Sequence, residues 1–189
     1  MPENPWKRLS STYLHENPWF AVREDAVIRP DGDPGTYRVI EARRLAIAVV
    51  PLWPDNTVTL VGQYRYPIEE YSWEVPEGGG PPDGDPLDTA KQELAEETGL
   101  AATNWTPLGR CHLSNCFLRE ETRIFLARGL ATDPAARPCG DEDIATVRMG
   151  FADVLSLVDV GRITDALTVV ALFQAERYLA RERAGGRPN

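Results

Sequence analysis

The sequence has few residues of the kinds that build disulfide frameworks or transition-metal clusters. Its three cysteines, Cys111, Cys116 and Cys139, show no CxxC spacing, and its two histidines, His15 and His112, lie far apart in the chain. An odd cysteine count without that spacing argues against a disulfide scaffold and against a zinc site. No Ser-His-Asp set, P-loop or Rossmann fingerprint is evident either.

Long apolar segments and an excess of positive charge are also missing. No run of about 18 apolar residues exists, and the N-terminal stretch MPENPWKRLS lacks the apolar core of a signal peptide. Lys and Arg total 20 against 29 Asp and Glu, which gives a formal net charge of −9. This charge argues against nucleic acid or an anionic membrane as the main partner. We therefore expect a cytoplasmic protein whose 189 residues bury a substantial core.

One stretch, from Trp73 to Leu100, carries the clearest local signals in the chain. Asp85 suits an N-cap and Pro86 suits the first position of a helix. Gly99 suits the C-terminal stop of the same helix. The pattern therefore predicts a helix over residues 86–98.

Three carboxylates crowd the end of this helix. Glu93, Glu96 and Glu97 stand at positions i, i+3 and i+4, which places them on one side of one turn. Like charges at this spacing repel by about 0.2–0.5 kcal/mol per pair, and the negative end of the helix dipole adds to the cost. A bound divalent cation explains the arrangement, since Mg²⁺ prefers oxygen ligands. The alternative interpretation is a solvated acidic face.

The stretch resembles the Nudix box, G-x5-E-x7-R-E-U-x-E-E-x-G-U, in which U is an aliphatic residue. The residues that match the box in register are Gly78, Glu93, Leu94, Glu96, Glu97, Gly99 and Leu100. Gly84 stands where the box has its first Glu, and Gln92 stands where it has Arg. In the family this Arg helps to orient the neighbouring metal-binding Glu, so Gln92 removes a positive charge from beside it.

A looser resemblance runs from about Tyr13 to Tyr178 and points to the ADP-ribose pyrophosphatase and nucleoside-diphosphate-sugar group of the Nudix family. It implies an α+β fold, an α/β/α sandwich with a mixed central sheet, for a catalytic domain over residues 44–189. Residues 1–43 would form a small N-terminal antiparallel sheet, with a polar arm over residues 1–10. Such a sheet packs or swaps across a homodimer in this group, so we expect a homodimer.

The resemblance also assigns residues on the approach to the helix. Arg65 stands in a Q-x-R position that contacts the phosphate or the terminal sugar of the substrate, and the planar guanidinium suits phosphate. The alternative is a surface arginine paired with Glu69 or Glu70. Glu74 matches a residue near the metals, and the carbonyl of Glu77 matches a metal ligand. Glycines 78–80 predict a tight turn close to a ligand.

Candidates for the catalytic base lie beyond the helix. Glu142, with Asp141 behind it, follows the E-D-I context of a catalytic Glu in the resembling group; an acidic surface loop is the alternative. Glu120 stands at the acidic position of a loop over residues 113–121 that resembles S-N-S-x-x-D-E, and a solvated loop is the alternative. Glu96 completes this set. Further on, residues 161–166 resemble a G-x-I-x-D-A connector, which we interpret as structural.

Together the resemblance implies hydrolysis of the pyrophosphate bond of a small nucleoside diphosphate linked to a sugar, with ADP-ribose as the first candidate. Glu93 and Glu97, assisted by Glu96, would hold about one to three Mg²⁺ or Mn²⁺ ions that neutralise the diphosphate. Trp19 and Phe20 are candidates for stacking on the base, and the alternative for both is core or interface packing.

Two other functions stay open. One is hydrolysis of nucleoside triphosphates or dinucleoside polyphosphates, which the N-terminal sheet disfavours. The other is a Nudix-fold sensor that binds such nucleotides with weak or no catalysis. Gly84 and Gln92 are its only support, and the three helix glutamates oppose it.

Overall fold

The structure is a computed structural model that describes residues 3–136 and 143–185. Within these ranges the strands are β1 (Lys7–Glu16), β2 (Phe20–Ile28), β3 (Pro34–Ala42), β4 (Leu45–Pro51), β5 (Thr57–Arg65), β6 (Glu70–Glu74), β7 (Glu77–Gly80), β8 (Leu100–Cys111), β9 (Leu118–Arg119), β10 (Thr122–Thr132) and β11 (Ala145–Gly150). The helices are α1 (Pro86–Thr98), α2 (Phe151–Asp159) and α3 (Ala166–Arg183). Among the described residues, the helices are too short or too polar to span a lipid bilayer.

The described strands form three sheets, with the orders β1-β2-β3-β9, β7-β4-β10-β8 and β11-β5-β6. In the first sheet β1, β2 and β3 are antiparallel, and the two-residue strand β9 adds to β3 in parallel. The second sheet is mixed, because β4 and β10 run parallel while β7 and β8 are antiparallel to their neighbours. The third sheet is antiparallel.

Side chains on the parallel pair β4 and β10 alternate between two apolar layers, as the two-residue period of a strand requires. On one face they pack against α1, and this layer contains Ile47, Val49, Ala90, Leu94, Phe125 and Ala127. On the other face they pack against α2 and α3, and this layer includes Ala48, Val50, Ile124, Leu126, Val154, Leu167, Ala171 and Leu172. The mixed sheet therefore lies between helices, and the α+β sandwich is confirmed.

Helix α1 begins and ends where its local signals place it. The carboxylate of Asp85 accepts a hydrogen bond from the N–H of Leu87 at 2.8 Å, and Pro86 occupies the first turn. Gly99 ends the helix with φ of 69°, a left-handed conformation that favours glycine. The predicted helix over residues 86–98 is confirmed.

The N-terminal sheet begins earlier than expected. Strand β1 starts at Lys7, so the prediction of an arm over residues 1–10 is wrong for residues 7–10. All residues of β1 are exposed in the single chain. The strand therefore has no buried face, and its sequence lacks the alternating hydrophobic pattern by which a strand is predicted. Pairing with β2 forms this strand, and that long-range pairing leaves little trace in the local sequence.

Candidate metal and phosphate site

Strand β7 brings the backbone of Gly78 against the end of α1. A Cβ at residue 78 would lie 2.2 Å from the carboxylate carbon of Glu93, and one at Gly80 would lie 2.1 Å from Oγ1 of Thr89. These residues are extended and pair with β4, so the predicted tight turn at 78–80 is wrong. Close approach of α1 side chains explains the two glycines.

The neighbouring carboxylate of α1 is held by the same strand. Oε2 of Glu97 accepts a hydrogen bond from the backbone N–H of Glu77 at 2.9 Å. Glu93 and Glu97 are therefore both oriented toward the backbone of Glu77 and Gly78. Three predicted metal residues, Glu77, Glu93 and Glu97, are thus brought together. Carboxylate and carbonyl oxygens fit a hard divalent cation such as Mg²⁺, and Gly78 leaves the space that the Glu93 carboxylate needs.

Glu96 lies one position before Glu97 and is partly exposed. Its Oε1 accepts a hydrogen bond from Nε2 of Gln92 at 2.9 Å. The neutral amide at the box Arg position therefore still contacts the neighbouring Glu, but it supplies no positive charge.

Arg65 at the end of β5 binds two carboxylates. Its Nε donates to Oε1 and Oε2 of Glu74 at 3.0 and 3.2 Å, and its Nη2 also contacts Glu74. The same Nη2 donates to Oε1 of Glu77 at 3.1 Å. Hydrogen bonding to Glu74 raises the pKa of Arg65, so its positive charge is permanent. The alternative pairing with Glu69 or Glu70 is wrong.

The carboxyl group of Glu77 lies in an unusually negative environment. Burial raises its pKa well above the ordinary value, and the nearby charges of Asp165 and Glu74 raise it further while Arg65 opposes them. Oε2 of Glu77 is buried and has no hydrogen-bond partner among the described residues. The sequence predicted a metal-ligand role only for the carbonyl of Glu77 and gave no role to its side chain.

Asp165 is a second residue that sequence reasoning missed. It is the N-cap of α3, where Oδ2 accepts from the N–H of Thr168 at 2.6 Å. One carboxylate oxygen from each of Glu74, Glu77 and Asp165 lies within 4.8 Å of the others. The G-x-I-x-D-A connector is thus structural, as interpreted, and it also places a carboxylate beside the site. The only local signal was an acid directly before a helix.

The remaining candidates lie elsewhere or outside the described residues. Glu120 is in the loop before β10, where burial raises its pKa and its carbonyl lies 2.7 Å from Nδ1 of His112. Trp19 and Phe20 are 66% and 39% exposed, so neither packs in the core of the single chain. Glu142, with its neighbour Asp141, lies outside the described residues.

Comparison with known proteins identifies the family of the chain. Residues 6–40 match the model of a nucleoside diphosphate sugar hydrolase N-terminal domain, and residues 42–167 match that of the NUDIX domain. An ADP-ribose pyrophosphatase of Mycobacterium tuberculosis is 32% identical, over 91% of this chain and 84% of that protein. A methanol dehydrogenase activator of Bacillus methanolicus is 30% identical, over 80% of this chain and 82% of that protein.

The fold also matches a solved structure. The crystal structure of an ADP compounds hydrolase superposes with a TM-score of 0.85 at 21% sequence identity. The match covers 96% of this chain and 98% of the other. At this sequence identity the similarity shows only that the two proteins share a fold.

Proposed function

Because the chain belongs to the Nudix hydrolase family, we propose that it hydrolyses the pyrophosphate bond of a nucleoside diphosphate linked to a sugar. ADP-ribose is the first candidate substrate, and the products would be a nucleoside monophosphate and a sugar phosphate. The observation that carries the proposal is the placement of Glu93 and Glu97 against the backbone of Glu77 and Gly78. The N-terminal match to nucleoside diphosphate sugar hydrolases supports the choice of substrate class.

Members of this family use a divalent metal, and we propose Mg²⁺, with Mn²⁺ as a substitute. Glu93, Glu97 and the carbonyl of Glu77 would hold it, with Glu96 beside them. Bound there, the ion would supply Lewis-acid charge neutralisation to the diphosphate. The Glu77 N–H keeps the carboxylate of Glu97 in place without the metal, so little ordering is needed on binding.

Arg65 would bind a phosphate or the terminal sugar of the substrate. Its guanidinium is held in one orientation by Glu74 and Glu77, and its side chain is one-third exposed, at 33%. A guanidinium fixed by two carboxylates loses little freedom on binding an anion. Buried Glu74 would therefore act on the substrate through Arg65.

Proton transfer from the attacking water would fall to one of Glu142, Glu96 and Glu120. A positioned general base typically contributes about 10²–10⁴-fold. Glu96 is the member of this set closest in sequence to the α1 ligands, and its contact with Gln92 leaves one oxygen without that bond. Variants of all three residues would separate them by the effect on kcat.

We also propose that residues 1–43 form a dimerisation subdomain and residues 44–189 the catalytic domain. Exposed apolar side chains on and beside β1 support a homodimer, since they would be buried by a second copy; they include Leu9, Tyr13, Leu14, Trp19 and Phe20. Trp19 and Phe20 would then stack on the base near the interface. Light scattering on the purified protein measures the assembly directly, and a monomer at micromolar concentration would contradict the dimer.

A second candidate function is nucleotide binding with weak or no catalysis. Gln92 favours it, because the box Arg is missing. The similarity to a protein named as an activator of another enzyme also favours it. Preserved contacts of Glu93 and Glu97 favour the hydrolase.

The test is phosphate release from a panel of nucleoside diphosphate derivatives, coupled to a phosphatase, with and without Mg²⁺. We expect metal-dependent release from ADP-ribose or a nucleotide sugar. Glu97→Gln should lower kcat by about 10²-fold or more, because one anionic ligand is lost. Asp88→Asn is the control, since Asp88 is exposed on the same helix and pairs with Lys91. Full activity in Glu97→Gln would contradict the metal site, and tight nucleotide binding without any release would favour the second candidate.

A further inference from the structure

Three carboxylates meet at the side chain of Glu77. They come from the end of β6 (Glu74), the start of β7 (Glu77) and the N-cap of α3 (Asp165). The first turn of α3 is docked on this segment, because Oγ1 of Thr168 accepts from the N–H of Val75 at 3.1 Å. The backbone positions of the three acids are therefore fixed relative to one another by the docking of α3.

One carboxylate oxygen of these three residues is buried without a hydrogen-bond partner among the described residues. Glu74 accepts from Arg65 through both oxygens, and Oδ2 of Asp165 accepts from Thr168. Oε2 of Glu77 is buried and accepts no hydrogen bond from the described residues. A buried carboxylate oxygen without a donor is costly, and a cation bound beside it would remove that cost.

Space and charge both favour a cation. A cavity of about 430 Å³ opens beside the cluster, lined among others by Arg65, Glu77 and Asp165. With a cation bound, all three carboxylates would be ionised and would exceed the one guanidinium by two negative charges, which a divalent cation balances. The oxygens lie within 4.8 Å of one another. Opposite ligands of Mg²⁺, Mn²⁺ or Ca²⁺ stand about 4–5 Å apart, so the spacing suits a hard cation.

We propose that Glu74, Glu77 and Asp165 bind a hard divalent cation that ties the N-terminus of α3 to strands β6 and β7, which carry the partners of Arg65. This site uses the side chain of Glu77, whereas the α1 site uses its backbone. It involves neither Glu93 nor Glu97 and does not depend on hydrolysis of any substrate. In the bound state the ion would fix Glu74 and Glu77, and through them the orientation of Arg65.

Mn²⁺ binding, measured by equilibrium dialysis and electron paramagnetic resonance, tests the proposal. A parent variant that combines Glu93→Gln and Glu97→Gln removes the α1 carboxylates, and we expect it to retain about one Mn²⁺ per chain. Adding Asp165→Asn should weaken that binding by at least about tenfold, the loss typical even of changes outside the ligands. Asparagine preserves the N-cap of α3, so the helix should still form. Adding Glu77→Gln should weaken the binding similarly, because it removes a ligand carboxylate while it keeps the backbone carbonyl of residue 77.

The control adds Glu70→Gln to the same parent, since Glu70 is exposed and outside the cluster. Binding by this control should equal that of the parent. A parent that binds no Mn²⁺ at millimolar concentration, or additions at Asp165 and Glu77 that change nothing, would overturn the proposal. Crystals of the unmodified protein soaked in Mn²⁺ give an answer even if the variants fail to fold. An anomalous peak among the three carboxylates would support the site, and peaks only at the α1 glutamates would refute it.

Discussion

Replacing Gly78 by alanine would place a methyl group where the carboxylate of Glu93 now lies. The new Cβ would come within 2.2 Å of the carboxylate carbon and of Oε2. Carbon atoms in contact stand about 3.5–4.0 Å apart, so the carboxylate must retreat by more than about 1 Å. The backbone of β7 need not move, because the displaced group is the end of a flexible side chain.

The cost in stability should be small. A side chain pushed off its rotamer costs about 0.5–1.5 kcal/mol. Alanine in a strand recovers about 0.5–1 kcal/mol relative to glycine, because the unfolded chain loses freedom. The two terms nearly cancel, so we expect the melting temperature of Gly78→Ala to stay within about 4 °C of the unmodified protein.

The cost in activity should be large. A misplacement of about 1 Å in a group that positions a reaction typically costs about 10²-fold in rate. We therefore expect kcat/KM of Gly78→Ala to fall by about 10²-fold, and the concentration of Mg²⁺ needed for half-maximal activity to rise. Initial rates with ADP-ribose across a Mg²⁺ series measure both quantities.

Gly79→Ala is the matched control on the same strand. Its Cβ would meet Cβ of Arg44 at 3.2 Å, which requires only a small adjustment and involves no α1 residue. We expect activity within about threefold of the unmodified protein, a difference of less than 1 kcal/mol in the activation barrier. Equal activity and equal Mg²⁺ dependence in the two alanine variants would refute the placement of Glu93 at the reacting centre.

Three further substitutions test Gln92, the buried carboxylate of Glu41 and the cap of α1. Gln92→Arg should raise kcat several-fold, because a charged donor would then hold Glu96 in place of an amide; unchanged rates would show that the departure from the box is harmless. Burial alone would raise the pKa of Glu41, but hydrogen bonds and the charge of Arg23 hold this pKa below its usual range. The ionised carboxylate therefore stabilises the fold above about pH 4.5. This stabilisation is lost as the pH falls through the lower pKa of the folded state. The melting temperatures of Glu41→Gln and the unmodified protein should therefore converge as the pH falls below about 4.5, and a constant gap would contradict the lowered pKa of Glu41. Asp85→Ala should lower the free energy of unfolding by about 0.5–2 kcal/mol, because the cap of α1 is lost. Denaturant unfolding measures this difference. An unchanged free energy would mean that the hydrogen bond from Leu87 to Asp85 is not made in solution.

Local signals were sufficient for α1 and for the carboxylates on it. A cap, a proline and a terminal glycine act within a few residues, and the spacing of Glu93 and Glu97 follows from helix geometry alone. The match to the box placed both acids at the same site as Gly78, and the structure brings them there. The two apolar layers on β4 and β10 likewise follow from strand alternation once the pairing is known.

Other contacts depend on which distant segments meet. Arg65 had acidic neighbours within five residues, yet its side chain binds Glu74 at the end of β6 and Glu77 at the start of β7. Asp165 lies 88 residues from Glu77 in the chain and joins the site only because α3 docks on the segment after β6. Such contacts arise from burial and pairing between remote strands and helices, which residue spacing does not encode. The sequence thus specified the acidic turn and its chemistry, and packing chose the partners around it.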